Sequence, residues 1–275
     1  MIREVEKSNG WDEITYYFES MNDFIKYMID NAETSHILPR NKWVSKAGMQ
    51  SRFNDTNDWE DFIDKLKNGH EDYNVDKDVF KTDKYEQSFQ NDKDWYGTTN
   101  VPKTIMGLPK PSNRLKKTKD IKYYPIFVGF SENAFVDSRK IKKYKLAIFE
   151  KIAQLITERQ IVDISIFCKG EMRWNNCYVN LIIDIKKHNQ NPDMNKLMYF
   201  MCGSDILRRG FFRILELDPL IFNGSQTHGY GTPMLSRNDY IEKKFNAILL
   251  HSLNSYGGVS DALEDVERRL IQGGI

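Results

Sequence analysis

Residues 123–130, Tyr123-Tyr-Pro-Ile-Phe-Val-Gly-Phe130, form a short apolar run of strand length. The segment 138–158 that follows carries apolar side chains at three- and four-residue spacing, which predicts an amphipathic helix of about 20 residues. Two further apolar runs, at 161–168 and 177–185, predict two more strands. A strand, a helix and a second strand make a βαβ unit, which favours a mostly parallel sheet with a right-handed crossover. The predicted fold class is therefore α/β, with α+β as the alternative.

The sequence before this unit predicts helices. Residues 14–18 are expected to form a strand or extended segment, and residues 21–31 a helix, because Ser20 and Asp23 match a helix-start signal. A second helix is expected to begin after Asn57 or Asp58 and to end at Gly69. Its apolar face consists of Trp59, Phe62, Ile63 and Leu66.

Changes in composition divide the chain into four predicted regions. Between Trp95 and Pro111, three prolines and two glycines disfavour regular structure and mark a connection. The regions are a helix-rich N-terminal region 1–95, a Pro-, Gly- and Lys-rich connection 96–122, an α/β domain 123–222, and a C-terminal loop with helices 223–275.

The last third of the chain predicts further helices. Residues 194–217 are expected to be helical, with an interruption near Gly203 or Gly210. Two more helices are expected at about 238–254 and 261–271.

The composition of the 275 residues excludes several classes of protein. Hydrophobic residues make up 40% and aromatic residues 13%, which excludes a wholly disordered chain. There are 40 Lys and Arg against 39 Asp and Glu, so a generic attraction of the whole surface to nucleic acid or an anionic membrane is excluded. The three cysteines, Cys168, Cys177 and Cys202, are too scattered for a disulfide framework and indicate a reducing cytosol. No apolar run reaches the roughly 18 residues of a membrane span, so we expect a cytoplasmic protein with no membrane partner.

The loop after the first sheet strand is a candidate metal site. Ser131, Glu132 and Asn133 follow this strand directly, at the carboxyl end where open α/β sheets bind ligands. Their oxygen atoms suit a hard cation such as Mg²⁺. The alternative is an ordinary loop in which Ser131 or Asn133 caps backbone groups.

A second pattern suggests a metal-dependent nuclease. Asp163 lies near the start of one predicted strand, and Asp184 and Lys186 lie at the end of the next. Two carboxylates and a lysine can hold a metal and orient water, and Glu150 on the preceding helix could supply a further carboxylate. The alternative is that both aspartates mark strand ends.

The third candidate is a concentration of basic residues. Residues 110–145 contain eleven Lys or Arg against three acidic residues, whereas residues 71–94 contain eight acidic against four basic residues. Clustered cations release counterions from a phosphate backbone and so bind nucleic acid in a salt-dependent way. The alternative is a solvated helix face offset by the acidic stretch. The candidate nucleic-acid-binding residues are Arg114, Lys116, Lys117, Lys119, Arg139, Lys140, Lys142 and Lys143.

Other chemical signals in the sequence are weaker. The sequence has no phosphate-binding Gly-x-x-x-x-Gly-Lys-[Ser/Thr] loop, no Gly-x-Ser-x-Gly elbow and no His-Glu-x-x-His helix. His228 lies among glycines and polar residues, where a turn residue is favoured over a catalyst. Arg208 and Arg209 could clamp an anion, although pairing with acids beside an apolar helix face is favoured.

Three blocks between residues 14 and 217 form a recognisable pattern. The first comprises 18–27, 43–48 and 59–69, and the second is Asn100-Val-Pro-Lys-Thr-Ile-Met-Gly-Leu-Pro109. The third joins the βαβ unit at 126–168 to Leu207-Arg-Arg-Gly-Phe-Phe-Arg-Ile-Leu-Glu216. Together, these blocks resemble an uncharacterised family of phage and prophage proteins.

The resemblance implies a virus-encoded protein made in the bacterial cytoplasm, with a sheet arranged like a von Willebrand factor A domain. Domains of that type usually bind partners through a metal held by an Asp-x-Ser-x-Ser loop. The corresponding residues here are Gly129-Phe-Ser131-Glu-Asn133, which lack the leading Asp and the final Ser.

From these patterns we expect a non-enzymatic, phage-encoded binding or assembly protein that acts through protein contacts. Its partner would be a second copy, another phage protein or a host protein, in the host cytoplasm or in the virion. No cofactor is required for this function, and Mg²⁺ is the cation to test. The alternatives are nucleic-acid binding through 110–145 and a nuclease around Asp163, Asp184 and Lys186.

Overall fold

The structure is a computed structural model of the full chain. The described residues are 1–8, 10–32, 56, 58–70, 89–91, 98–99, 112–115, 123–132, 136, 138–157, 161–188, 190, 193–221, 232–233, 242, 244–253 and 258–272.

Ten strands and six α-helices are described within these ranges. In chain order they are β1 (Ile2–Ser8), β2 (Trp11–Phe18), α1 (Met21–Asp30), α2 (Trp59–Asn68), β3 (Phe89–Asn91), β4 (Thr98–Thr99), β5 (Ser112–Leu115), β6 (Tyr123–Gly129), α3 (Ser138–Thr157), β7 (Ile161–Met172), β8 (Cys177–Lys186), α4 (Met194–Cys202), α5 (Phe212–Leu217), β9 (Thr232–Pro233), β10 (Ile248–Leu250) and α6 (Val259–Gln272). A π-helix, Ile206–Phe211, leads directly into α5.

The main sheet has the strand order β1-β2-β8-β7-β6-β10. Three of its six described pairings are parallel: β2 with β8, β6 with β7, and β10 with β6. The other three are antiparallel: β1 with β2, β7 with β8, and the short pairing of β9 with β7. The α/β fold class is confirmed, and so is the βαβ unit, because β6 and β7 are parallel and α3 lies between them in the chain. The sheet is mixed, however, and not mostly parallel as predicted.

A tight connection makes β7 and β8 antiparallel. A single 3-10 turn, Arg173–Asn175, joins the two strands, and Asn176 adopts a left-handed conformation with φ of 49°. A connection this short reverses the chain direction, because a parallel neighbour needs a crossover of a dozen or more residues.

The helices of the described elements bury their apolar sides in one large core on one face of the main sheet. This core contains Phe24 of α1, Phe62 of α2, Ile148 of α3, Leu197 of α4 and Val266 of α6. Because side chains alternate along a strand, the next residues on each strand point to the opposite face. There the structure has a smaller apolar cluster of Phe127, Phe167, Ile182 and Leu249, with Phe245 packed against it. We call this second side the polar face, because most of its other side chains are polar.

Three predicted helices are confirmed, and for α1 and α2 the predicted caps are confirmed as well. Ser20 accepts a hydrogen bond from the backbone N–H of Asp23 (3.1 Å), and Asp58 accepts one from Asp61 (2.8 Å). Gly69 ends α2 with a φ of 79°. Helix α6 covers the predicted 261–271 segment, and the 194–217 helix is interrupted at Gly203, as expected.

The helix predicted at 238–254 is wrong over residues 248–250. Ile248, Leu249 and Leu250 form β10 and pair in parallel with Ile126, Phe127 and Val128. A short apolar run fits a buried strand as well as a helix, so periodicity alone does not separate the two.

The predicted domain boundaries remain predictions. Residues 43–48 and 100–109, and most of 71–94 and 96–122, lie outside the described ranges. One relation is nevertheless clear, because β2 pairs along its length with β8. The N-terminal strands therefore belong to the same sheet as the α/β domain. Within the described residues, none of the helices has the combination of length and apolarity that crossing a membrane requires.

Candidate functional site

The loop at the carboxyl end of β6 places its polar side chains inside the protein. Ser131 Oγ donates to Cys168 Sγ (3.3 Å) and accepts from the backbone N–H of Lys169 (3.1 Å). Glu132 lies 3.1 Å from Lys145 Nζ, which also contacts the carbonyl oxygen of Gly129. Ser131 and Glu132 are therefore engaged with neighbouring protein atoms. Asn133, the third candidate ligand, lies outside the described residues.

Close backbone packing explains why this loop begins with glycine. A Cβ atom at Gly129 would lie 2.8 Å from the backbone nitrogen of Ser252, which follows β10. Any larger side chain at this position requires the end of β10 to move away from β6. The leading Asp of an Asp-x-Ser-x-Ser loop is therefore incompatible with this packing.

A small cavity lies beside the same loop, next to α3, α4 and the π-helix. Its volume is about 30 Å³, which holds roughly two water molecules. Pockets for small-molecule ligands usually measure about 300 Å³ or more, so this cavity suits water or a single small group. Burial lowers the pKa of Arg208 at its wall, and the charges of Glu132 and Asp205 oppose that effect. The polar lining includes Glu132, Lys145, Ser204 and Arg208.

Asp184 is held in a network on the polar face. Ser165 Oγ donates to Asp184 Oδ1 (2.6 Å) from the neighbouring strand β7. The Tyr17 hydroxyl and the Lys187 ammonium group both contact Asp184 Oδ2. Burial raises the pKa of Tyr17, and the hydrogen bond to Asp184 raises it further. Asp184 is only 4% exposed, and these contacts give both oxygens of its buried carboxylate a partner within the protein.

Asp163 has its own set of donors at the start of β7. Its Oδ1 accepts from the backbone N–H of His188 (2.6 Å) and lies 2.9 Å from His188 Nδ1. Its Oδ2 accepts from the Tyr123 hydroxyl (3.0 Å). Burial by itself would raise the pKa of Asp163, but the hydrogen bonds from His188 and Tyr123 outweigh it and the pKa is lowered.

The remaining two nuclease candidates do not join these carboxylates. An irregularity in the β7–β8 pairing sets Lys186 opposite Ile164 of the large core, whereas Asp184 is opposite Ser165. Lys186 Nζ donates to the carbonyl oxygens of Val162 (3.3 Å) and Lys187 (3.2 Å). Glu150 is exposed on α3, in the helical layer on the other side of the sheet from Asp184.

The basic candidates are divided between separate elements. Arg139, Lys140 and Lys143 are exposed and Lys142 is half-buried in the first turns of α3. Lys145, one turn further, is fully buried. Arg114 lies in β5, which belongs to a separate three-stranded sheet of order β3-β5-β4. Lys116, Lys117 and Lys119 lie outside the described residues, as does His228.

Of the two predicted clamp arginines, Arg208 lies at the wall of the small cavity described above, and Arg209 has structural contacts. Arg209 is fully buried, with its Nε 3.7 Å from Asp205 and donating to Thr56 Oγ1 (2.8 Å). This confirms the interpretation that Arg209 pairs with an acid. Arg213 in α5 donates from Nε to the carbonyl oxygen of Asn31 (2.9 Å). These two arginines thus hold residues on either side of the segment 33–55.

One buried polar group on the polar face was not predicted. Glu13 Oε1 accepts from Lys169 Nζ (2.8 Å) and from Asn180 Nδ2 (2.9 Å), which link β2, β7 and β8. The same Asn180 amide donates to Thr15 Oγ1 (3.2 Å). The only sequence signal for this group is polar residues alternating with apolar ones in strands, which does not identify the partners.

The edge strand β1 was also not predicted, and it is the most exposed element of the main sheet. Residues 1–7 are exposed without exception, including Met1 (50%), Ile2 (43%) and Val5 (43%). Among the described strands, β1 pairs only with β2. Charged side chains of β1 contact the rest of the chain. Arg3 meets Asp218 (2.9 Å), and Lys244 meets Glu4 (2.8 Å) and Glu6 (3.0 Å).

Taken together, the fold and these sites define an α/β protein with a mixed sheet, one described helical layer and an exposed edge strand. Within the described ranges, no group of three or more His, Cys, Asp or Glu residues could hold a metal ion. Residues 4–270 match the model of the family described as Domain of unknown function (DUF7192), and the chain belongs to that family. No curated protein and no solved structure matches the chain.

Proposed function

We propose that this protein is a non-enzymatic binding or assembly protein that works through protein contacts. The observation that carries the proposal is the exposure of β1. An edge strand presents a row of unpaired backbone N–H and C=O groups, which are a ready template for another chain. Natural proteins usually cover or shorten such an edge, whereas β1 is seven residues long and exposed over residues 1–7.

The contacts of the candidate catalytic residues support a non-enzymatic function. Asp163 and Asp184 accept hydrogen bonds from the protein's own side chains, and Lys186 donates to backbone carbonyl groups. A metal or a substrate would have to displace these partners. The cavity beside Glu132 is also too small for a substrate of ordinary size.

The origin and location of the protein belong to the same proposal. Phage or prophage origin, a von Willebrand factor A-like arrangement and the bacterial host cytoplasm rest on the resemblance of the three sequence blocks. An assembly function would also place the protein in the virion.

Partner capture with an edge-strand variant tests the proposal. The tagged protein and its Val5→Lys variant are expressed in infected cells, and the recovered proteins are quantified by mass spectrometry. Ile29→Lys is the matched control, because Ile29 is an exposed apolar residue (41%, against 43% for Val5) on helix α1. We expect a partner that Ile29→Lys retains and Val5→Lys loses. Equal recovery with both variants, or recovery of no partner, would contradict the proposal.

Nucleic-acid binding is the second candidate, and the start of α3 favours it. The first turn of α3 contains no acidic residue, Arg139 and Lys140 are exposed there, and Lys143 is exposed in the second turn. Cations at a helix N-terminus oppose the helix dipole, whereas a phosphate group at the same place is stabilised by both the dipole and the cations.

A mobility-shift assay with DNA and RNA tests this candidate. The assay is run at increasing salt, with and without Mg²⁺. A shift that weakens steeply with salt is expected if α3 binds phosphates. An absence of any shift at low salt would exclude this function, and Mg²⁺-dependent cleavage would favour the nuclease alternative.

A further inference from the structure

We infer that β1 binds an extended segment of a different protein as an antiparallel neighbouring strand, with side-chain charges complementary to those of β1. The inference rests on the proposed function and specifies the chemistry of the partner. The segment would place acidic residues opposite Lys7 and Arg3, basic residues opposite Glu6 and Glu4, and apolar residues opposite Val5 and Ile2.

Among the described strands, only β2 covers an edge of β1. All seven residues of β1 pair with β2 on one side, from Ile2 with Tyr17 to Ser8 with Trp11. On the other side, no described strand is present, and the side chains of residues 1–7 are exposed on both faces. Seven residues span about 23 Å, which is enough for a ladder of backbone hydrogen bonds.

The charges of β1 are sorted by face. Side chains alternate along a strand, so Arg3, Val5 and Lys7 share one face, and Ile2, Glu4 and Glu6 share the other. Each face therefore carries two like charges and one apolar side chain. Arg3 meets Asp218, and Lys244 meets both glutamates. Two carboxylates on one face favour basic residues directly opposite them on a neighbouring strand.

A second copy of the chain is a poor occupant for the same edge. If two copies of β1 paired antiparallel about a two-fold axis, residues directly opposite each other would have to point to the same face of the sheet. This condition is met only when the axis passes a residue, which then lies opposite its own copy. A register centred on Val5 sets Arg3 against Lys7 and Glu4 against Glu6. A register centred on Glu4 sets that residue against its own copy. Like charges directly opposite are destabilising, so the pattern protects β1 from self-pairing and selects a different sequence.

Two synthetic peptides of identical composition test the inference. The matched peptide contains Glu-Lys-Val-Lys-Glu-Val, which runs antiparallel to β1 from Lys7 to Ile2. The control contains Lys-Glu-Val-Glu-Lys-Val, which sets like charges opposite each other in the same register. Binding to the full chain is measured by fluorescence anisotropy, and hydrogen exchange of the amides of residues 2–8 is followed with each peptide. We expect the matched peptide to bind at least about tenfold more tightly, because four charge pairs change sign.

A charge variant of the protein provides the second arm. In the variant Glu4→Lys/Glu6→Lys, two of the four pairs become unfavourable with the matched peptide and two become favourable with the control. The preference between the peptides should therefore disappear, while circular dichroism shows an unchanged fold. Slower exchange of the β1 amides is expected only with a bound peptide.

The outcomes separate this inference from the proposed function. Equal affinity of the two peptides for the unmodified chain, or binding without slower exchange in β1, would overturn the inference. If the cellular partner is still lost with Val5→Lys, the proposed function stands and only the partner's chemistry is wrong. If neither peptide binds and Val5→Lys retains the partner, both fail.

Discussion

At the scale of single residues, the buried carboxylates have the contacts of structural groups. Asp184 has three partners on three sides, and Ser165, Tyr17 and Lys187 would each lose an acceptor if it were removed. Removing a structural carboxylate lowers the stability of the fold, because it leaves buried donors without an acceptor. Removing a carboxylate that serves only to bind a metal often leaves the stability unchanged or raises it. Stability therefore distinguishes the two roles of Asp184.

We expect Asp184→Ala to lower the free energy of unfolding by about 2 kcal/mol, because it leaves polar groups of Ser165 and Tyr17 unsatisfied. Urea unfolding followed by circular dichroism measures the change. Glu150→Ala is the control, since an exposed residue on α3 should change stability by no more than about 0.5 kcal/mol. An unchanged or higher stability of Asp184→Ala, together with loss of Mg²⁺-dependent cleavage, would instead assign this residue to a nuclease.

His251 gives the fold a dependence on pH. Burial lowers its pKa to about 4, and the nearby charge of Arg269 acts in the same direction, whereas Asp265 opposes it. An unfolded chain protonates histidine near pH 6.5, so protons bind preferentially to the unfolded state below that pH. The stability that neutral His251 contributes is therefore complete above pH 6.5 and is lost as the pH falls towards 4.

The variant His251→Gln should remove part of this dependence. Melting temperatures of the protein and the variant are measured between pH 7.5 and pH 4.5. We expect the two curves to converge as the pH falls, because only the histidine form loses stability through protonation of the unfolded chain. A constant difference between the curves over this range would show that the side chain does not titrate as described.

Contacts between residues far apart in the sequence could not be predicted from the sequence. Glu13 meets Lys169 and Asn180 only because β2, β8 and β7 are neighbours in the sheet. No local pattern in the sequence encodes that order. The sequence placed Asp163 and Asp184 at strand ends, but it could not identify their donors, which include Tyr123 for Asp163 and Tyr17 and Ser165 for Asp184.

At the scale of elements, short sequence patterns predicted the helices, because the hydrogen bonds and caps of a helix join residues close together in the sequence. Capping residues and apolar spacing predicted α1 and α2, because each helix start depends on side chains within one turn, and apolar spacing alone predicted α6. Strand β10 was misassigned because its three residues are strand-forming only through their pairing with β6. Edge strand β1 was not predicted, since its mixture of charged and apolar residues lacks the one-sided alternation of a half-buried strand.

The start of α3 gives a prediction in which stability and binding change in opposite directions. Replacing Lys140 and Lys143 with Glu should stabilise the helix by about 0.3 kcal/mol, because Lys140 lies in the first turn, where an acidic residue complements the helix dipole. If α3 binds phosphates, the same variant should lose affinity for nucleic acid and show a weaker salt dependence. Thermal unfolding and the mobility-shift assay measure the two effects on one preparation.

A different helix position serves as the control for this prediction. Lys151→Glu changes the same charge near the other half of α3, on an exposed side chain that meets Glu267. It should leave nucleic-acid affinity unchanged and should not stabilise the helix. Lys151→Glu reverses one charge and the double variant reverses two, so a loss of affinity half as large in the control would show that the interaction follows net charge and does not depend on the start of α3.

At the scale of the whole molecule, the near-zero net charge conceals an uneven distribution. Basic residues concentrate at the start of α3, and acidic and basic side chains separate onto opposite faces of β1. The main core lies between the sheet and the helices, and β1 contributes no buried apolar side chain to it. The edge strand is therefore attached to a core that does not depend on its side chains.

Removal of β1 tests this view of the whole fold. A protein lacking residues 1–8 should still unfold cooperatively, because the deletion removes backbone pairing with β2 and the Arg3–Asp218 contact but no core residue. We expect a loss of a few kcal/mol and a nearly unchanged urea m-value, since m follows the area exposed on unfolding. The shortened protein should also lose its cellular partner. A broad, non-cooperative transition would show that β1 is needed for the fold, and partner binding would then depend on the integrity of the whole sheet.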